Sequence, residues 1–218
     1  MPADPLPTEP GATAPGAIRG GVGDDLLAAL PSGLPAVARS AALPAGFAAG
    51  AATAGIKASG RADLALIRVS GAPASAAAVF TTNQVAAAPV QASRANLAIT
   101  HPEGRGSGNE HYGRAQAIVA TSGSANAATG LEGLTDQVAI TQAVAVHLGV
   151  DPLGVLSLST GVIGTRLPVE KVVVGIANLA AGGLPATDAG LLAAAEALRT
   201  TDTLTKVASV TASLPGPD

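Results

Sequence analysis

Thr160 and Gly161 stand side by side in the stretch LSTGVIG, residues 158–164, directly behind a short apolar run. A hydroxyl and closely approachable backbone N–H groups at a strand end are the parts of an oxyanion hole, although the same residues also make a plain strand-to-helix connection. A second polar loop of small residues, TSGSANAATG at 121–130, follows another apolar run, where α/β sheets tend to bind ligands. It lacks the G-x-G-x-x-G spacing and the following acidic residue of a dinucleotide site, so it reads either as a pocket-lining loop or as a tight turn with Asn126 bonding its own backbone. TTDT, beginning at Thr200, offers three hydroxyls and a carboxylate in four residues. Such a cluster can bind a substrate's amine or carboxylate, or form a polar turn.

Other chemistries are weakly supported or excluded. His101, Glu103, Glu110 and His111 fall in HPEGRGSGNEH, and two histidines with two carboxylates are zinc-ligand types. The segment is rich in glycine and has neither helical spacing nor a strand to fix ligands, so a surface loop is the preferred reading and no metal is expected. His147 lies on an apolar helical pattern and is assigned a structural role. No histidine and aspartate stand in recognisable relation to a nucleophilic serine or cysteine, which argues against a serine hydrolase. With no cysteine the chain has no disulfide and no thiolate metal site. No cofactor is expected. Twelve lysines and arginines and a net charge of -3 leave no basic stripe for nucleic acid.

The elements that must position these residues follow from periodicity. RADLALIRV at 61–69 alternates as a half-buried strand does, and AAAVFTT, ending at Thr82, and AQAIVAT, ending at Thr121, read as further strands. Three helices are predicted: DQVAITQAVAVHLG capped by Thr135, PVEKVVVGIANLAAG with Pro168 in its first turn, and AGLLAAAEALR capped by Thr187 or Asp188. GVLSLSTGVIG is strand then turn, and VASVTASL at 207–214 is a strand. Helix and strand alternate through the second half, which defines an α/β fold. Residues 1–42 are rich in Pro, Gly and Ala and read as a largely disordered tail, with one short helical turn at 24–30. Residues 43–218 read as the folded domain.

Hydrophobic residues make up 48% of the chain, yet only two phenylalanines and one tyrosine are aromatic, so the core must close through small side chains. Apolar runs are broken before they reach a bilayer-spanning length, and Asp4 and Glu9 stand where a signal peptide would be basic. A cytoplasmic protein without membrane contact is expected.

In order along the chain, the segments PAGFAAGAATAGIKASGRADLALI, AAAVFTTNQVAAAPVQASR, AQAIVATSGSANAATGLEG, LSTGVIGTRLPVEK and LRTTDTLTK resemble the ornithine acetyltransferase family, the glutamate N-acetyltransferases of arginine biosynthesis. They cover most of the chain from Pro44 to Lys206. The resemblance implies a layered helix–sheet–sheet–helix fold and a precursor that cuts itself into α and β chains, exposing a threonine nucleophile at the start of β. That threonine takes acetyl from N-acetylornithine and hands it to glutamate through an acyl-enzyme. It further implies that Thr160 and Gly161 stabilise the oxyanion, that Thr200 contacts substrate, and that two α and two β chains form a heterotetramer.

The chain departs from the family pattern at two places. The substrate-binding lysine, the nucleophile and all of β would come after Asp218, and PGPD at 215–218 reads as the start of a hairpin turn rather than a terminus. The loop that is usually SGNANA reads SGSANA from Ser122, with Thr121 where an asparagine is usual, and the 101–112 loop looks like an insertion. The expectation is therefore the α portion of such an enzyme, truncated before the β part, inactive alone and prone to self-association through the surface β should cover. A non-catalytic acyl-amino-acid-binding remnant and a threonine-nucleophile amidase or peptidase are the two alternatives.

Overall fold

The structure, a computed structural model, describes residues 37–102 and 112–211. Its centre is a four-stranded sheet of β2 (Phe47–Ala52), β3 (Leu64–Val69), β6 (Ala117–Ser124) and β7 (Val155–Val162), in the order β2-β3-β6-β7. β3 is antiparallel to both of its neighbours, β2 and β6, and β6 and β7 are parallel. A parallel pair needs a crossover, supplied here by helix α2 (Gly130–Leu148). Two small ribbons flank the sheet, one pairing β1 (Val37–Ala38) with β8 (Ser209–Val210), the other β4 (Ala74–Ala77) with β5 (Tyr112–Ala115). β1 thus lies inside the stretch read as tail.

The two faces of the sheet are packed differently. On one, Leu64, Leu66, Val119 and Val155 meet Ile140, Val144 and Leu148 of α2 and Val172 and Ile176 of α3 (Val169–Ala181). On the other, Ala49, Ala65 and Ala120 meet Ala194 and Ala197 of α4 (Asp188–Ala197), so that helix and sheet approach through methyl groups. The approach at Gly190 is close enough that a Cβ would collide with the Ala49 carbonyl oxygen. The small-residue core expected from composition is fullest on this second face, where all five buried residues are alanine.

Several predicted elements are corrected. β3 is buried on both sides rather than half-buried, because helices cover both faces and even Ala65 is enclosed. The strand read at AAAVFTT is displaced: β4 ends at Ala77, residues 78–82 have no regular structure, and Val79 is exposed. Thr135 is not a cap, since α2 begins at Gly130 and the Thr135 hydroxyl donates to the Leu131 carbonyl inside it. Gly133 makes room in that first turn, where a Cβ would strike the Asn126 and Thr129 side chains. Gly149 does end α2, in the left-handed conformation, and the Thr187 hydroxyl does cap α4 by accepting from the Gly190 N–H.

Helix α1 (Ala88–Ile99) and strand β2 were not predicted. α1 is seated on the sheet by polar groups: the Ser93 hydroxyl donates to the Ser157 carbonyl at 2.8 Å and accepts from the Ser157 N–H, and Asn96 Nδ2 donates to the Val155 carbonyl at 2.9 Å. β2, sequence FAAGAA, has little intrinsic strand preference and is held by pairing with β3 along its whole length. The readings at 24–30 and 215–218 lie outside the described residues, as does the part of the 207–214 strand beyond residue 211.

Candidate functional site

The ends of β6 and β7 bring the first two polar loops together. In the parallel register Ser122 stands opposite Thr160 and Gly123 opposite Gly161. Both glycines have positive φ, +116° and +131°. A Cβ on Gly161 would run into the Gly123 carbonyl, and one on Gly123 would lie 2.8 Å from Ile56 Cγ2. Glycine at 161 is thus required both by conformation and by the close approach of two backbones. The chains stay in step beyond the strands: the Ala125 N–H donates to the Val162 carbonyl and the Gly164 N–H to that of Ala127, each at 2.9 Å.

The side chains around this pair are tied down. Thr121 Oγ1 and Ser159 Oγ are 2.7 Å apart, and the Ser124 hydroxyl donates to the Thr165 carbonyl at 2.7 Å. Buried Asn126 holds the loop to α2, donating through Nδ2 to the Gly133 carbonyl at 3.0 Å and accepting from the Thr129 hydroxyl at 2.7 Å. It bridges to the helix rather than closing on its own backbone. Arg166, just after the turn, donates from Nη2 and Nε to the Asp136 carboxylate at 2.6 and 2.8 Å and from Nη1 to Glu132 at 3.0 Å. This fork fixes the far end of the turn to α2. Thr160 itself is half-buried, beside exposed Leu158, Val162 and Ile163.

The third polar segment is wound around one arginine. Arg199 donates from Nη2 to the carbonyls of Asp202 and Thr203 at 3.1 and 2.8 Å, from Nε to that of Asp202, and from Nη1 to both oxygens of Glu196. The Thr205 hydroxyl donates to the same carboxylate. The hydrogen bond from Arg199, joined by that from Thr205, holds Glu196 below its ordinary pKa, and Lys206 does the same for Asp202. Thr200 is half-buried at the start of this turn, whereas Thr201, Asp202 and Thr203 are exposed.

Sequence reasoning did not single out Asp63 and Lys57. Asp63 is fully buried, and its carboxylate accepts from the N–H groups of Ala54 at 2.6 Å, Ile56 at 2.6 Å and Lys57 at 2.9 Å. The loop from 53 to 60 is thereby fixed against the sheet. The only sequence signal for Asp63 was a polar residue at the mouth of a strand whose neighbours are apolar.

The remaining candidates lie elsewhere. His101 is buried, its ring 4.1 Å from that of Tyr112, while Glu103, Glu110 and His111 fall outside the described residues. Among the described residues no group of three or more His, Cys, Asp or Glu could hold a metal. His147 is exposed in the last turn of α2, where a cation would favour the helix dipole. A cleft of about 300 Å³ borders Thr53, Glu170, Lys171 and Asn178, and none of Thr160, Gly161 or Thr200 lines it. Among the described residues no helix is long and apolar enough to cross a membrane.

The fold is a mixed helix–sheet domain that resembles solved ArgJ structures. Residues 48–217 match the ArgJ family model, and the chain belongs to the ArgJ family, whose members act in arginine biosynthesis. The arginine biosynthesis bifunctional protein ArgJ of Thermosynechococcus vestitus is 46% identical over 150 residues, 69% of this chain and 32% of that protein. The mitochondrial ArgJ of Aspergillus niger is 44% identical over 153 residues, 70% of this chain and 31% of that protein. The chain therefore spans about a third of the length of these curated relatives. The crystal structure of Mycobacterium tuberculosis ornithine acetyltransferase, complexed with ornithine, superposes with a TM-score of 0.68 at 34% identity, covering 84% of this chain and 98% of that one. ArgJ of Bacillus halodurans superposes with a TM-score of 0.66 at 30% identity, covering 84% and 97%.

Proposed function

We propose that this chain is the α part of a glutamate N-acetyltransferase, residues 43–218 forming its α-chain-like domain, and that Thr160 and Gly161 form the oxyanion hole. The carrying observation is the Gly123–Gly161 register, which presents a half-buried threonine and a backbone turned out of the strand path at one sheet end. The ornithine held by the Mycobacterium tuberculosis relative supports the substrate class.

In this reading a threonine outside this chain supplies the nucleophile. Its hydroxyl oxygen bonds to the acetyl carbonyl carbon of N-acetylornithine while its proton passes to its own amine. The Thr160 hydroxyl and the Gly161 N–H donate to the tetrahedral oxyanion. Collapse breaks the carbon–nitrogen bond and ornithine leaves with the proton; the amine of glutamate then attacks the acetyl carbon, the threonine ester bond breaks, and the amine's proton returns to the threonine oxygen. Thr200, half-buried at the start of the Arg199 turn, contacts the substrate.

The β part packs as the second sheet of a helix–sheet–sheet–helix sandwich and covers Leu158, Val162 and Ile163, and two copies of each part make the heterotetramer. The exposure of these three side chains beside the proposed hole supports that placement. The test is transfer of acetyl from N-acetylornithine to glutamate, measured with this chain alone and with the complete enzyme. Transfer only in the complete enzyme is expected. Transfer by this chain alone would refute its dependence on a further part, and release of acetate without acetylglutamate would point to an amidase.

A further inference from the structure

The C-terminal end of α4 carries an arrangement that the assigned roles of Thr160, Gly161 and Thr200 leave unexplained. Ala197 is the last residue of that helix, and its carbonyl has no partner within the helix ladder. Two side chains from distant parts of the sequence converge on it. Lys57 Nζ donates to it at 2.9 Å, and the buried Ser122 hydroxyl donates to it as well. Lys57 Nζ also donates to the Ala62 carbonyl at 2.9 Å.

Each donor belongs to the oxyanion side of the site. Ser122 is the register partner of Thr160. Lys57 follows Ile56, whose side chain lies against Gly123, the register partner of Gly161. The buried Asp63 carboxylate binds the N–H groups of both Ile56 and Lys57, so the loop cannot move one without the other. On the far side, Ala197 is three residues from Thr200, and Arg199 closes the 199–203 turn that carries Thr200. A cation at a helix C-terminus is also favoured by the dipole. Lys57 is drawn partly out of water to reach this carbonyl, and that burial, followed by the positive charge of Arg61, lowers its pKa.

We infer that Lys57, acting with Ser122 on the Ala197 carbonyl, is a positioning residue that sets Thr200 relative to the Thr160–Gly161 pair. The inference rests on the substrate-contacting role of Thr200. Lys57 touches neither substrate nor reacting atoms; it acts through the helix end. Its loss lets the 197–203 turn drift and weakens substrate binding that is made equally in ground and transition states, so KM rises while kcat holds.

The test is a double-mutant cycle in the complete enzyme with Lys57→Met and Thr200→Ala, read as KM for N-acetylornithine, kcat and thermal midpoint. Lys57→Met is expected to raise KM about tenfold with kcat little changed. Lys57→Arg, which keeps a donor, should restore most of it. Combined with Thr200→Ala, Lys57→Met should add almost nothing. Full additivity of the two KM effects would overturn the inference while leaving the role of Thr200 intact. An unchanged KM in Thr200→Ala alone would instead overturn the role of Thr200, and the inference with it. Should Lys57→Met fail to assemble, Ser122→Ala removes the other donor and must show the same coupling to Thr200, or the inference falls.

Discussion

The two sides of the site are held by different means. At the ends of β6 and β7 the backbone does the positioning: two strands in register, two glycines at positive φ, and amide bonds that continue past the strand ends. At residues 196–205 side chains do it, with Arg199 gathering carbonyls and Glu196 gathering Arg199 and Thr205. A backbone-built site tolerates little change in shape and needs few particular side chains beyond glycine. A side-chain-built turn depends on charge and can be loosened by degrees.

That contrast can be broken most forcefully at Gly161. Gly161→Val should destabilise the domain by about 4 kcal/mol or more and abolish activity, because the side chain meets the Gly123 backbone. Thermal unfolding checks this, and a well-folded valine variant would mean the register is not needed. Arg199→Met should cost less, about 1–3 kcal/mol, through loss of the turn's donors, and should raise KM more than it lowers kcat. An intact KM would show that the turn does not serve binding.

The smallest effect is on pH dependence. Glu196 titrates below its ordinary value of 4.5 in the folded chain. The unfolded chain therefore binds more protons in that window, so the stabilisation is present above 4.5 and is lost as pH falls through the folded value. Because the Glu196 side chain is 42% exposed, solvent screening keeps the effect small. Stability curves of wild type and Glu196→Gln should differ near neutrality and converge on acidification; parallel curves would remove Glu196 from the account.

Much of this was legible in the sequence where one residue type has one physical reading. Gly149 ended α2, Thr187 capped α4, and the Val- and Ile-rich helix declared itself by period, although it begins at Val169 with Pro168 just before it rather than in its first turn. α1 escaped because its buried stripe includes Ser93 and its anchoring is by hydrogen bonds to β7, which no hydrophobic period reports. β2 escaped because alanine and glycine do not announce a strand, and the true start of α2 escaped because Gly130 reads as the end of a loop. At the site, Thr160, Gly161 and Thr200 could be named from local composition and family likeness. That TSGSANAATG and LSTGVIG are two rails of one ladder could not, since register is a long-range property. Lys57 was illegible for the same reason, as its partner at Ala197 lies 140 residues away.

The most direct test is the turnover of Thr160→Ala in the complete enzyme, with acetyl transfer from N-acetylornithine to glutamate as the assay. Loss of one oxyanion donor should lower kcat by about 100-fold, equivalent to about 3 kcal/mol in the barrier, with KM and thermal midpoint nearly unchanged. A kcat equal to that of the unaltered enzyme would contradict the assignment of Thr160 and Gly161 to the oxyanion.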